Sequence, residues 1–281
     1  MKKSQEDLLE NQDIEIRLLI QAIYEKYGYD FRNYSQAHVK RRVINRLNLS
    51  GMGTISDMIH EVLINHKFVD LLLMDLSINV TEMFRDPSFY RAIREQVVPV
   101  LKTYPFIKIW HAGCSSGEEV YSMAILLREE GIYNRTQIYA TDFNPVIIKQ
   151  AREGIYPINR MKEFTLNYQK AGGKSAFSDY YTANYESAKV LDSFKKNIVF
   201  ATHNLVTDSV FAEVHMVVCR NVLIYFDRQL QDKVIGLFSD SLTGGGVLCL
   251  GSKESMQFSG FNHNFETLVK NERIYIKKYH V

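Results

Sequence analysis

IKIWHAGCSSGEEVYSMA, residues 107–124, is the stretch around which this chain is organised. Its short apolar run, Ile107, Ile109 and Trp110, leads into six small residues, Ala112 to Gly117. Two glutamates and an amphipathic run follow. The pattern predicts a buried strand, a tight turn and the start of a helix. Small residues let a backbone approach a ligand closely, and the first turn of a helix presents unpaired N–H groups. A phosphate site has another signature, because neither G-x-G-x-x-G nor G-x-x-x-x-G-K-[ST] occurs here. Glu118 and Glu119 stand where a pyrophosphate would meet the helix and would repel it. A ligand with a cationic part, such as S-adenosylmethionine, suits the loop. An ordinary capped strand–helix turn fits this stretch alone equally well.

On either side the chain changes character. Downstream, strands are expected at Ile107–His111, Gln137–Thr141, Asn197–Ala201, Val214–Cys219, Val247–Gly251 and Arg273–Lys278. Helices are expected at Glu118–Glu130, from Asn144-Pro145 through Arg152, and at Arg228–Leu242, the last closed by Gly244-Gly245-Gly246. Such alternation means a mostly parallel sheet covered by helices, which binds ligands at the carboxyl ends of its strands. Asp142, Asn204, Asn221 and the small-residue loop all fall at that edge. An acid ending the second strand can accept from both hydroxyls of a ribose, which gives Asp142 a role beyond capping the next helix. Between Phe164 and Lys196 the alternation breaks. Tyr180, Tyr181, Tyr185, Val190 and Leu191 suggest short antiparallel strands, an insertion at about residues 165–196. An exposed strand edge there can accept an added peptide; a self-contained flap is the other reading.

Upstream, residues 1–76 read as helical. Ile14, Leu18, Ile23 and Tyr24 supply part of an apolar stripe ended by Gly28, and Thr54 reads as the N-cap of a helix over Ile55–Asn65. A helix over Gln36–Asn48 sets Val39, Val43, Ile44 and Leu47 opposite Lys40, Arg41, Arg42 and Arg46. No acid occurs from Arg32 to Ser50. That run is either a solvated face or a docking site for an acidic partner. Residues 77–106 connect the two regions, with SINVTEMFRDP (77–87) followed by a helix over Ser88–Lys102. Arg85, set among apolar residues, needs a partner if buried.

Composition narrows the classes. The 281 residues carry 46% hydrophobic residues and a formal net charge of +2, which gives no broad basic surface for nucleic acid. No 18-residue apolar run and no secretory pattern is present, so a soluble protein with no membrane insertion is expected. The three cysteines, Cys114, Cys219 and Cys249, lie in or beside apolar runs without zinc spacing. They read as small buried thiols, consistent with a reducing cytoplasm, and no metal site is expected.

Several stretches together resemble the chemotaxis receptor methyltransferases, the CheR family. SINVTEMFRD, IWHAGCSSGEEVYS, YATDFNP, AREGIY, Asn204-Leu205, CRNVLIYFD and GGVLCLGSKES occur in family order across nearly the whole chain. The resemblance implies an α/β fold: a Rossmann-like S-adenosylmethionine-dependent methyltransferase domain (107–281) with a small antiparallel β-subdomain, preceded by an all-helical N-terminal domain (1–76). It implies methyl transfer to glutamate side chains of chemoreceptor cytoplasmic helices, with S-adenosylhomocysteine as product. By matching position, Asn79, Thr81, Arg85, Glu119, Asp142, Asn204, Leu205, Asn221 and Val222 would line the cofactor pocket, and Arg85 and Tyr225 would lie beside the transferred methyl. Lys40, Arg41, Arg42 and Arg46 match the family's receptor-docking helix. A cytoplasmic monomer is expected, and a receptor tail peptide at the β-subdomain is a further candidate partner. Val120, Met83 and His111 depart from the family pattern; His111 reads as a satisfied core histidine. A SAM-binding sensor without catalysis, or a methyltransferase for another substrate, are the rival readings.

Overall fold

In the computed structural model, residues 5–77 and 81–279 are described. They divide into two compact units, 5–77 with Tyr225–Gln231, and 81–224 with 232–279.

The first unit is helical: α1 (Gln5–Tyr27), α2 (Gln36–Ser50), α3 (Ile55–Ile64) and α4 (His66–Leu76). Glycine in the left-handed region closes α2 at Gly51 (φ 67°), where a side chain would be strained. Thr54 caps α3 in a reciprocal box with Asp57, as its position suggested. The packed face of α1 is Ile16, Leu19, Ile20 and Ile23, at three-to-four-residue spacing; Ile14 and Leu18, expected in the stripe, are exposed. The segment Tyr225–Gln231 belongs to this unit through backbone bonds. Ser35 N–H donates to the Tyr225 carbonyl (2.8 Å) and Asp227 N–H to the Asn33 carbonyl (2.9 Å).

The second unit begins with α5 (Pro87–Ala92) and α6 (Val98–Lys102), separated by a π-helical turn at Ile93–Val97. One continuous helix was expected here. Pro99 has no N–H to continue the ladder, and the wider turn just before it accommodates the break. There follow β1 (Ile107–Ala112), α7 (Glu118–Glu129), β2 (Thr136–Asp142), α8 (Pro145–Glu153), β3 (Ile155–Pro157), α9 (Met161–Lys170), β4 (Tyr181–Asn184) and β5 (Ser187–Val190). The chain continues through β6 (Ile198–Thr202), β7 (Val214–Cys219), α10 (Arg228–Ser241), β8 (Leu242–Leu250), β9 (Phe265–Val269) and β10 (Ile274–Lys277).

The main sheet has the order β6-β2-β1-β7-β8-β10-β9. β6, β2, β1, β7 and β8 run parallel, and β10 and β9 complete the sheet antiparallel. After β1 the chain builds outward through β2 and β6, then returns to add β7 on the other side of β1. Strand order reverses at β1, the place where open α/β sheets form a ligand crevice. This is the Rossmann-like arrangement, and the small sheet β3-β5-β4 is its antiparallel insertion.

The elements differ from these expectations at three places. Gly244, Gly245 and Gly246 lie inside β8 instead of closing α10, which ends at Ser241. The β7–β8 register passes from Val214↔Leu242 to Met216↔Val247, and Gly245 takes a φ of 75° within this bulge. A Cβ on Gly245 would lie 2.3 Å from the Tyr279 hydroxyl. The small sheet takes its third strand from Ile155–Pro157, ahead of the aromatic stretch that signalled it. Helix α9, between β3 and β4, was not anticipated.

A buried cluster ties α9 and the insertion to α7. Glu129, with a 4% exposed side chain, pairs with Arg94. It also accepts from the Tyr180 hydroxyl (2.8 Å), the Lys174 N–H (2.9 Å) and the Tyr168 hydroxyl. Burial pushes its carboxyl up, but bonds from Tyr168, Lys174, Arg94 and Tyr180 outweigh that and hold it below the usual carboxylate range. Its contribution to stability is therefore complete above the ordinary carboxyl range and lost as pH falls below it. Glu129→Ala removes the acceptor shared by Arg94, Tyr168, Tyr180 and the Lys174 N–H, while Arg94 keeps Glu130 (2.7 Å), and is expected to cost about 2 kcal/mol in urea unfolding at neutral pH. An unchanged midpoint would remove this cluster from the account of how the insertion is held.

Candidate active site

The carboxyl ends of the parallel strands bring four segments to one edge. Trp110 anchors the edge from below by donating its Nε1–H to Thr141 Oγ1 across β1 and β2 (2.8 Å). Gly113 and Cys114 N–H donate to the Thr141 carbonyl (2.8 and 2.9 Å), so the small-residue loop folds back over the end of β2. A Cβ on Gly113 would come within 2.6 Å of Val222 Cγ2; only glycine lets this loop pack against the segment after β7. Gly117 (φ 91°) ends the loop, with Ala151 3.1 Å from where its Cβ would be.

Asp142 is 8% exposed. Its Oδ2 accepts from Ser115 N–H (3.0 Å) and its Oδ1 from Asn144 N–H (3.1 Å). Burial raises its carboxyl, and backbone bonds from Asn144, Ser115 and Phe143 offset part of that rise. Capping of α8 falls to Asn144, whose side chain accepts from Val146 N–H (2.9 Å). Asp142 therefore joins the loop after β1 to the loop after β2 while standing at the crevice.

Glu118 and Glu119 have different environments despite their adjacency. Glu118 is buried, and desolvation pushes its carboxyl up to about 7. The Ser116 hydroxyl donates to it (2.6 Å) and Arg160 stands 3.4 Å away. Arg160 also donates to the Thr81 carbonyl (2.9 Å). Burial alone would raise Glu119 as well, but His111 and Arg220 outweigh it and hold the group ionised. His111 is fully buried, with Nδ1 3.3 Å from Glu119 Oε1. Its Nε2 has no hydrogen-bond partner among the described residues, so it is a core histidine only half satisfied.

Arg220, at the end of β7, was not singled out from sequence. Its side chain is 2% exposed, and it pairs with Glu119 (2.9 Å) and Asp86 (2.7 Å). The guanidinium lies 4.0 Å from the Phe89 ring centroid. Its Nη1 also approaches the Arg85 carbonyl (3.4 Å). One buried cation thus fastens the 81–86 strap to the start of α7. Arg85 itself is half-buried. Phe84 (φ 53°) and Asp86 (φ 56°) on either side of it are both left-handed, as are Ser115 (50°) and Asn221 (60°). Such non-glycine residues cost about 1–3 kcal/mol each and gather where geometry is dictated by function.

Asn204 and Leu205 follow β6, and Asn204 Oδ1 accepts from Val206 N–H (3.0 Å). Asn221 and Val222 follow β7, held by Glu254, another residue not anticipated from sequence. Asn79 lies outside the described residues. Tyr225 is in the helical unit, its ring edge-on to His38 at 5.2 Å. The three cysteines are buried, and burial pushes each thiol up, which makes them inert. The chemistry of this edge fits a nucleoside. The Asp142 carboxylate ends β2 and no phosphate-binding loop is present, while Glu118 and Glu119 at the start of α7 are taken up by Ser116, Arg160, His111 and Arg220.

Residues 79–274 match the CheR methyltransferase SAM binding domain, and residues 14–77 the CheR methyltransferase all-alpha domain. The chain belongs to the CheR methyltransferase family. It is 54% identical over 267 residues to a Pseudomonas putida protein provisionally named methyltransferase Cher3, covering 95% of this chain and 98% of that one. It is 32% identical to the chemotaxis protein methyltransferase of Listeria innocua, covering 89% and 92% of the two chains. With that of Borreliella burgdorferi it shares 27% identity, covering 86% and 88%. As a CheR-family chain it has S-adenosylmethionine as cofactor and S-adenosylhomocysteine as product. Arg220 fastens the 81–86 strap to the start of α7, and Glu254 holds the segment after β7. The signal that could have found them was their place in CRNVLIYFD and GGVLCLGSKES.

Proposed function

We propose that this chain methylates glutamate side chains of chemoreceptor cytoplasmic helices, forming glutamate methyl esters during chemotaxis adaptation in the cytoplasm. The observation that carries the proposal is Arg85, held between two left-handed residues on a strap that Arg220 fastens to the α7 end of the crevice. Asp142 would hold the ribose, with Thr81, Glu119, Asn204, Leu205, Asn221 and Val222 lining the pocket; Asn79 is assigned there by family position alone. S-adenosylmethionine, when bound, supplies a methyl group on a positively charged sulfur. A glutamate is already ionised at neutral pH, so the chain need not remove a proton. What remains is orientation and exclusion of water, which a guanidinium holding a carboxylate and a tyrosine hydroxyl can supply. Arg85 and Tyr225 take these roles.

The test is transfer of radiolabel from S-adenosylmethionine to receptor-bearing membranes. Base-labile label on a receptor supports the proposal. Cofactor binding without transfer supports a sensor, and label elsewhere another substrate.

Receptor docking on α2 has a sharper form than the sequence allowed. Lys40 pairs with Asp13 (2.7 Å) and Arg46 with Asp75. Arg42 Nε is buried without a hydrogen-bond partner among the described residues, and Arg41 is exposed. Arg41→Glu is therefore the clean reversal, whereas reversing Arg46 would set two acids together. It is expected to raise the KM for receptor several-fold, more at low salt than at high, with the Kd for S-adenosylmethionine unchanged. Normal receptor methylation by this variant would leave α2 a solvated face. An exposed edge of the β3-β5-β4 sheet is a candidate seat for a receptor tail peptide.

A further inference from the structure

We propose that Glu254 is a positioning residue for the cofactor, its carboxylate holding the backbone of Asn221 and Val222 in the only shape that presents them to the pocket. This rests on the reading that Asn221 and Val222 touch the cofactor.

Glu254 lies in the turn after β8 and is 4% exposed. Its Oε1 accepts from the N–H groups of Val222 (2.8 Å) and Ile224 (3.3 Å). Its Oε2 accepts from Asn221 N–H (3.1 Å) and Gly251 N–H (2.5 Å). Four backbone donors from two loops converge on one side chain. Three of them belong to the segment after β7, which forms no helix or strand through Val222 and has no ladder partner of its own. Without the carboxylate those part-buried N–H groups would lose the acceptor that fixes them, and the segment would be free to shift.

The segment it holds is strained. Asn221 sits at φ 60°, and Val222 fills the space against Gly113 that any larger residue in the β1 loop would need. Glu254 thus sets the spacing between the loop after β1 and the loop after β7, the two walls at the point where strand order reverses. Gly251 completes the clasp. A Cβ there would lie 2.8 Å from both Asn221 N and Glu254 Oε2. Glutamine at 254 keeps the size but replaces one acceptor oxygen with an NH2 group, which would face two N–H donors. Aspartate is one methylene too short to reach both loops.

The experiment is calorimetric titration of S-adenosylhomocysteine into wild type, Glu254→Gln, Gly251→Ala and Asn221→Ala, with circular dichroism and melting temperature recorded for each. Steady-state KM values for S-adenosylmethionine and for receptor are measured in parallel. Glu254→Gln is expected to raise the Kd about tenfold and to raise the KM for S-adenosylmethionine more than that for receptor. Gly251→Ala, which disturbs the same clasp, is expected to shift the Kd in the same direction. A purely structural role would lower the melting temperature and leave the Kd of the folded protein alone. The inference is overturned if Asn221→Ala weakens binding while folded Glu254→Gln stays within twofold of wild type. If Glu254→Gln does not fold, a folded Gly251→Ala with wild-type affinity overturns it equally. If Asn221→Ala leaves binding unchanged while Glu254→Gln weakens it, the clasp stands and the assignment of Asn221 to the cofactor fails.

Discussion

Arg85→Ala is expected to fold with a near-wild-type melting temperature and to transfer methyl about 100-fold more slowly in a single turnover, the scale of loss that misplacing a reacting group brings. The reason lies in how the 81–86 strap is secured. Its fastening ion pairs come from Arg220, which reaches Asp86 and Glu119, and its backbone is further held by Arg160 on the Thr81 carbonyl. Arg85 lies between two left-handed residues, and its side chain is not one of these fastenings. Arg85→Lys is expected to recover little, because an ammonium cannot reproduce the planar two-pronged grip of a guanidinium on a carboxylate. The opposite pattern is also definite. An alanine variant that melts early, yet whose folded fraction turns over at the wild-type rate, would make Arg85 a structural ion-pairing residue, and lysine should then restore stability.

Asp142→Ala is expected to weaken S-adenosylmethionine and S-adenosylhomocysteine equally, by about 1.5–3 kcal/mol, the size of a hydrogen bond to a charged group. Equal loss follows because a ribose contact is common to both, whereas a contact to the sulfonium would discriminate between them. Asp142 also accepts from Ser115 and Asn144, so part of the loss will be loosening of the crevice wall. Asp142→Asn separates the two effects. It can still accept one of these N–H groups but presents an amide where the ribose needs a carboxylate. Calorimetry on the folded variants decides the matter, and unchanged affinity in both would take Asp142 out of the site.

Much of this architecture is local in origin and therefore readable along the chain. The strand–loop–helix at 107–129 follows from an apolar run, six small residues and two acids at a helix start. The strands of the parallel sheet and Asp142 at the end of β2 follow from the same alternation. The cofactor edge needed no more than strand order and the rule for where open sheets bind. Asn204 and Asn221 fell at that edge by the same pattern, and Arg85 drew notice as an arginine among apolar residues; the site roles of Thr81, Arg85 and Tyr225 came from family resemblance.

Tertiary structure decided whatever depends on partners distant in the chain. Arg220 meets Glu119 across 101 positions and Asp86 across 134, so nothing near it in sequence betrays a buried ion cluster. Glu254 reads as one acid in a polar turn until folding brings four backbone donors to it. The basic run on α2 has no acid beside it, yet Asp13 and Asp75, 27 and 29 positions away, neutralise Lys40 and Arg46. Gly244–Gly246 resembled a helix stop because glycine ends helices, but the bulged register with β7 and the Tyr279 ring make them strand. Short-range chemistry set the elements and the edge at which they bind. Charge pairing and backbone satisfaction, which act through space, set which side chains hold that edge in place.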